Sequence, residues 1–195
     1  MTTTRETFLA KIRAAQPEPR PRPTVPLFDT PPGERLARFS AALGAMGGTI
    51  VEAGSLDAVQ ALIAERFGAD AVVASAVRGI EGNRALAADT SPSSLQDVDV
   101  GVVRARFGVA ETGSVWFSEA EYIVNSIGYL VQHLVVLLDP ARIVDGLQDV
   151  YRQDDFKTAR YAVLVTGPSA TADIEGVLIR GAQGVRSLTV VLASA

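Results

Sequence analysis

Thr49-Ile-Val-Glu52, Ser55-Leu-Asp-Ala-Val-Gln-Ala-Leu-Ile-Ala-Glu-Arg-Phe67 and Ala71-Val-Val-Ala74 follow one another with almost nothing between them. The first and last read as short apolar strands. The middle opens on Ser55, a good N-cap, and places Val59, Leu62 and Ile63 on one helical face. Strand, amphipathic helix and strand in this order are the pattern of a βαβ unit in a largely parallel sheet. On the N-terminal side, Leu36, Phe39 and Leu43 recur at helical spacing across residues 33–46, and Gly47-Gly48 stops that helix. On the C-terminal side, Ser91-Pro-Ser-Ser94 is a turn leading to further β material at Val98–Val103. The expected class is α/β, a mostly parallel sheet flanked by helices.

Further toward the N-terminus the character changes. Thr3 and Glu6 form a capping box for a short amphipathic helix carrying Phe8, Leu9 and Ile12 through Ala15. A lone helix of this length is marginal in water, so it is expected to pack on the body or on a partner. Seven of the ten prolines then fall within residues 17–32, which calls for an extended tether. The expected organisation is a helix over 1–15, a proline-rich linker over 16–32 and one α/β domain over 33–195. Residues 1–23 carry five basic and two acidic side chains, whereas the net charge of the whole chain is −4. The arm and the acidic body therefore suit different partners or each other, and a merely solvated tail fits the same charges.

Composition removes whole classes of function. The chain has 195 residues, 48% hydrophobic and 21% charged, enough to bury a substantial core. Its acidic balance and lack of a dominant Lys/Arg cluster argue against nucleic-acid binding. Cysteine is absent, so disulfides, thiolate catalysis and an iron–sulfur cluster on this chain's own thiolates are excluded. The single histidine, His133, rules out a His-rich zinc or non-haem iron site within one chain, while carboxylates remain able to hold Mg²⁺ or Mn²⁺. No metal ligand is assigned. The apolar runs are too short to span a bilayer and the N-terminus lacks an apolar signal core, so the expected location is the cytoplasm.

Two segments carry candidate chemistry. In Phe107-Gly-Val-Ala-Glu-Thr-Gly-Ser-Val-Trp-Phe-Ser118, apolar residues flank Glu111-Thr112-Gly113-Ser114. The pattern predicts two strands joined at, or one strand bent at, a polar corner. Burial against apolar walls would raise the pKa of Glu111 and suit it to acid–base or covalent work; a turn glutamate in solvent reads equally well. His133 precedes the apolar strand Leu134–Leu138, where a hydrogen-bonded structural histidine is the commoner reading. After Asp139-Pro140, the apolar positions Ile143, Val144, Leu147 and Val150 predict a helix over 141–151.

The second segment, Thr166-Gly-Pro-Ser-Ala-Thr-Ala-Asp-Ile-Glu-Gly176, follows the apolar run Tyr161–Val165. It reads as a strand-end loop opening a short helix, the usual ligand position in α/β proteins. In the plainer alternative, Ser169, Thr171 and Asp173 only satisfy free N–H groups at a helix start. Ala172 and Asp173 stand where a phosphate loop needs Gly and Lys, and no dinucleotide fingerprint is present. Asp173 and Glu175 are two apart and cannot share a face as an acid–base couple. The loop Arg180–Arg186, whose glycines allow approach to an anion or serve as ordinary turn residues, leads to a last strand at 187–192.

Taken together, Ala110-Glu-Thr-Gly-Ser114, the lone His133 before a strand ending at Asp139-Pro140, Gly167-Pro-Ser-Ala-Thr-Ala-Asp-Ile-Glu175 and the closing Gly181-Ala-Gln-Gly184 with Ser187–Leu192 resemble the lactate utilization protein C family, the LUD domain. The resemblance covers about residues 33–195. It implies a fold like that of the sugar-phosphate isomerase, CoA-transferase and formyltetrahydrofolate cyclo-ligase group. It also implies a role beside cysteine-rich iron–sulfur partner proteins in oxidising L-lactate to pyruvate. The matching positions are Glu111 and His133 as candidate catalytic residues, with Thr112, Gly113, Ser114, Gly167, Pro168, Ser169, Thr171, Asp173, Glu175 and Gln183 as candidate contacts to a small anionic metabolite. Two departures stand out: Gln183-Gly184-Val185 replaces the common His-Gly-Pro, and Ser118–Asn125 replaces a Gly-rich connection. The favoured expectation is an accessory or ligand-binding subunit. The alternatives are a free-standing enzyme acting through Glu111 on a carboxylate, CoA thioester or sugar phosphate, and a non-catalytic metabolite sensor.

Overall fold

A computed structural model describes the chain except for residues 1, 2, 22, 28–30, 32, 175, 194 and 195, and the side chains of 173 and 174. Helix α1 (Thr4–Ala14) carries the anticipated capping box: Thr3 Oγ1 accepts the Glu6 N–H and Glu6 accepts the Thr3 N–H. None of its residues is buried.

The body is built on five parallel strands, β1 (Thr49–Glu52), β2 (Val73–Ser75), β3 (Val100–Arg104), β6 (His133–Leu138) and β11 (Ser187–Leu192), in the order β1-β11-β6-β3-β2. The parallel α/β expectation holds. The unit that decided it has an unusual reach, because helix α3 (Leu56–Phe67) joins β1 to β2 across the full width of the sheet. Ser55 caps α3 by accepting the Ala58 N–H. Val59 and Ile63 then bury against Val100, Val102, Val135, Leu137 and Val191 on one sheet face.

The opposite face packs on helix α2 (Arg35–Ala45) and on a second sheet. That sheet comprises β4 (Phe107–Val109), β5 (Ser114–Ser118), β7 (Ile143–Val144) and β8 (Ala162–Val165), in the order β7-β4-β5-β8. Every residue of β5 is buried: Val115 and Phe117 face the main core with Phe39 and Leu43, while Trp116 points the other way into a second, smaller core with Val109 and Val150 and stacks on Phe107 at 5.3 Å. Strand alternation thus ties two cores together through five residues. Truncating Phe39, fully buried in the main core, costs ~3–5 kcal/mol on the usual scale of cavity formation.

Two expectations are corrected. The helix over 141–151 does not form. Pro140–Arg142 is a 3₁₀ turn, Ile143 and Val144 become β7 beside Gly108 and Val109, and only α5 (Leu147–Val150) is helical. Two consecutive β-branched residues with a free strand edge available favour pairing over helix, and Gly146, extended at φ −146°, separates the two elements. The helix start over 166–176 is likewise absent. Residues Ala170–Ile174 form β9 and pair antiparallel with β10 (Val177–Arg180), turning at Gly176 with φ +72°. The capping role expected of Ser169, Thr171 and Asp173 falls with it. The remaining short helices are α4 (Glu119–Tyr122) and α6 (Asp154–Thr158). Among the described residues no helix is long and apolar enough to cross a membrane.

Candidate functional site

The polar corner is the turn between β4 and β5. Gly113 sits there at φ +69°, and a Cβ on it would lie 2.2 Å from the Leu43 backbone nitrogen. Glycine is needed because the α2 backbone lies directly against it. Gly167 makes a matching approach: its φ is +71°, and a Cβ would lie 2.6 Å from the Met46 carbonyl oxygen. The two polar segments, distant in sequence, both clasp the C-terminal end of α2.

This convergence aligns three hydroxyls. Thr112 Oγ1 lies 2.6 Å from Ser114 Oγ, which lies 2.5 Å from Thr166 Oγ1. Ser114 is buried, and the outer two are half-buried. With Glu111, Ala42, Ala45, Met46, Leu147 and Leu164, they line a groove of about 560 Å³. An apolar floor with a few hydroxyls and one carboxylate is the composition of a small-molecule site. Hydroxyls both donate and accept, so the row suits a ligand carrying a carboxylate or hydroxyl group.

Of the two positions open to Glu111, the structure has the turn glutamate in solvent and not the buried carboxylate. The residue is exposed, and its Oε2 accepts the N–H of Leu147 at 3.0 Å while its own N–H donates to the Asp145 carbonyl. It holds the first turn of α5. Asp145, only 6% exposed, receives the Arg35 guanidinium through two bonds of 2.9 and 2.7 Å, fastening this side of the groove to α2.

The Gly-Pro-Ser segment borders a second hollow of about 290 Å³, lined by Gly167, Pro168, Ser169, Gln183, Gly184 and Tyr129 among others. Leu164 and Thr166 border both hollows, so β8 forms the wall between them. Ser169 is tied by its backbone: its N–H donates to Val185 and its carbonyl accepts from Gly181. The departure at Val185 is therefore a buried anchor, and Gln183 is exposed. Thr171 lies out on β9, paired in register with Ile179. Asp173 is on the same strand, and Glu175 lies outside the described residues. The Arg180 guanidinium lies against Gly47, at the carbonyl end of α2, where a cation is favoured.

His133 is elsewhere. It begins β6, while the corner sits beside α2 and the second sheet; Leu134, Val136 and Leu138 face that layer, so alternation turns His133 to the α3 side. There its ring lies 4.8 Å from Phe67, and Nδ1 is 2.8 Å from Ser187 Oγ. Burial holds its pKa below the ordinary histidine value, aided by Arg186 and Arg66 and opposed by Asp99. Glu111 and His133 therefore do not meet in one site.

Thr166, the residue that closes the hydroxyl row, is not among the candidate contacts that the sequence pattern singles out. Its position at the strand end before Gly167 was the available signal. Among the described residues, no group of three or more His, Asp or Glu side chains is placed to hold a metal ion.

Comparison with known proteins finds that the family model described as the LUD domain matches residues 83–193. A crystal structure of a DUF162 family protein from Deinococcus radiodurans superposes with a TM-score of 0.62 at 14% identity, covering 83% of this chain and 97% of that one. At that identity the likeness establishes the fold. No curated protein sequence matches the chain.

Proposed function

The chain belongs to the LUD-domain family, and from that membership we propose that it serves L-lactate utilization as a ligand-holding accessory subunit beside iron–sulfur partner proteins. The observation that carries the binding role is the row Thr112–Ser114–Thr166 over an apolar floor. A small 2-hydroxy acid or its keto product matches that groove, its carboxylate and oxygen meeting the hydroxyls and its methyl meeting Ala42, Ala45 or Leu164. The accessory role is supported by Glu111, an exposed carboxylate engaged with the α5 backbone rather than a buried base.

Oxidising lactate requires two electrons to leave, and this chain has no cysteine to hold a cluster of its own. The carriers then belong to partner chains. The arm supplies a docking element: α1 buries nothing, and Phe8 and Ile12 are 60% and 44% exposed on it.

The test is affinity capture from the native host, read by iron–sulfur absorbance and by identifying the captured proteins. Cysteine-rich partners are expected, and removal of residues 1–32 should weaken their capture while leaving the melting transition in place. A colourless, solitary protein whose turnover of a carboxylate substrate is lost in Glu111→Gln would establish the free-standing enzyme instead.

A further inference from the structure

A separate cavity of about 290 Å³ opens at the C-terminal ends of β3 and β6, lined by Arg104, Ala105, Arg106, Glu121, Asp139 and Arg142. This is the edge at which parallel α/β sheets bind ligands, and none of the candidate catalytic or contact residues named above lines it. Its two carboxylates are already engaged. Glu121 receives Arg106 Nε at 2.9 Å and the Ser118 N–H and hydroxyl at 2.8 and 2.6 Å, and Asp139 receives the Ala141 N–H at 2.9 Å. Of the three guanidinium groups only that of Arg106 is engaged. Arg104 Nη1 is buried without a hydrogen-bond partner, and the Arg142 guanidinium has no ion-pair partner among the described residues.

A cationic nitrogen withheld from water and given no acceptor is unfavourable unless something else supplies the acceptor. We propose that this cavity binds the phosphate group of a small phosphorylated metabolite, with Arg104 and Arg142 as the anion contacts and Arg106, held by Glu121 and Asp155, as a fixed third charge. One guanidinium fork satisfies a carboxylate, whereas three arginines around one opening match a dianion with three terminal oxygens. The volume suits a phosphate on a short carbon skeleton rather than a nucleotide. This site is independent of the lactate reading.

The experiment is titration of the full chain, at constant ionic strength set with KCl, with glycerol 3-phosphate, inorganic phosphate and acetate, followed by calorimetry and by melting temperature. Saturable binding of the phosphate compounds, weaker or absent for acetate, is expected. Tighter binding of the ester than of inorganic phosphate identifies a metabolite, and equal binding identifies free phosphate as the ligand of the same site. Arg104→Met, which keeps an apolar stem, and Arg142→Gln, at an exposed position, should each weaken binding by about ten-fold or more. Acetate binding as tightly as phosphate, no binding of either phosphate compound, or unchanged affinity in the folded Arg142→Gln protein would overturn the assignment.

Discussion

Ser114 Oγ stands 2.5 Å from Thr166 Oγ1, joining the start of β5 to the residue just beyond β8 across 52 positions of sequence. This contact links the two polar segments into one groove. Ser114→Ala removes the shared partner, and because Thr112 and Thr166 are half-buried and reach water, the cost should be modest, about 1 kcal/mol. Urea unfolding checks the stability, and calorimetry with lactate or pyruvate checks the groove, where the same substitution should weaken binding far more than it weakens the fold.

Gly113→Ala should cost far more than Gly176→Ala, although both glycines have nearly the same φ, +69° and +72°. At Gly176 a Cβ meets nothing within 4 Å, so only the left-handed backbone is penalised, by ~1–2 kcal/mol. At Gly113 the Cβ collides with the α2 backbone, which cannot rotate aside, adding ~1–3 kcal/mol or more. Paired denaturation curves give the difference directly; equal losses would show that α2 yields.

Tyr122→Phe should be neutral or stabilising by up to about 1 kcal/mol. The ring is fully buried, stacked on Phe117 at 4.8 Å, and its hydroxyl has no hydrogen-bond partner. Burial, with smaller contributions from Tyr129 and Glu121, pushes that hydroxyl well above the usual tyrosine range. Removing an unsatisfied polar atom while keeping the ring recovers its desolvation cost. A loss of stability in the thermal melt would count against this account.

His133 makes stability depend on pH in a defined direction. Its folded pKa lies below the ordinary 6.5, so on acidification the unfolded chain takes up a proton first. The neutral-His contribution is fully present above about pH 6.5 and is lost as the pH falls through the depressed folded value. His133→Gln should flatten the stability profile between roughly pH 5 and 7 relative to the parent. Denaturant midpoints across that range measure it, and parallel profiles would assign the slope to the carboxylates.

The strands β1, β5, β6, β8 and β11 were legible because each is an apolar or β-branched run bounded by turn residues, a signal local to the segment. Residues 141–151 were not, since Ile143, Val144, Leu147 and Val150 satisfy a helical period as well as they satisfy a strand, a break and a single helical turn. What settles them is the free edge of β4, a partner with no local trace in that stretch. The same applies to 166–176, where hydroxyl and carboxylate side chains suggested a capped helix but β-branched residues found each other across Gly176.

For the candidate site the division is similar. Residue types, the absence of cysteine, the glycines at 113 and 167 and the family likeness all reside in the order of amino acids, because each depends on local chemistry. Which of them meet is a matter of packing. The alternation of β6 and the distance along it part His133 from Glu111, the C-terminal end of α2 draws Gly113 and Gly167 together, and parallel strands end side by side to gather Arg104, Arg106 and Arg142 around one cavity. Contacts across such sequence separations arise only when buried faces are matched in three dimensions.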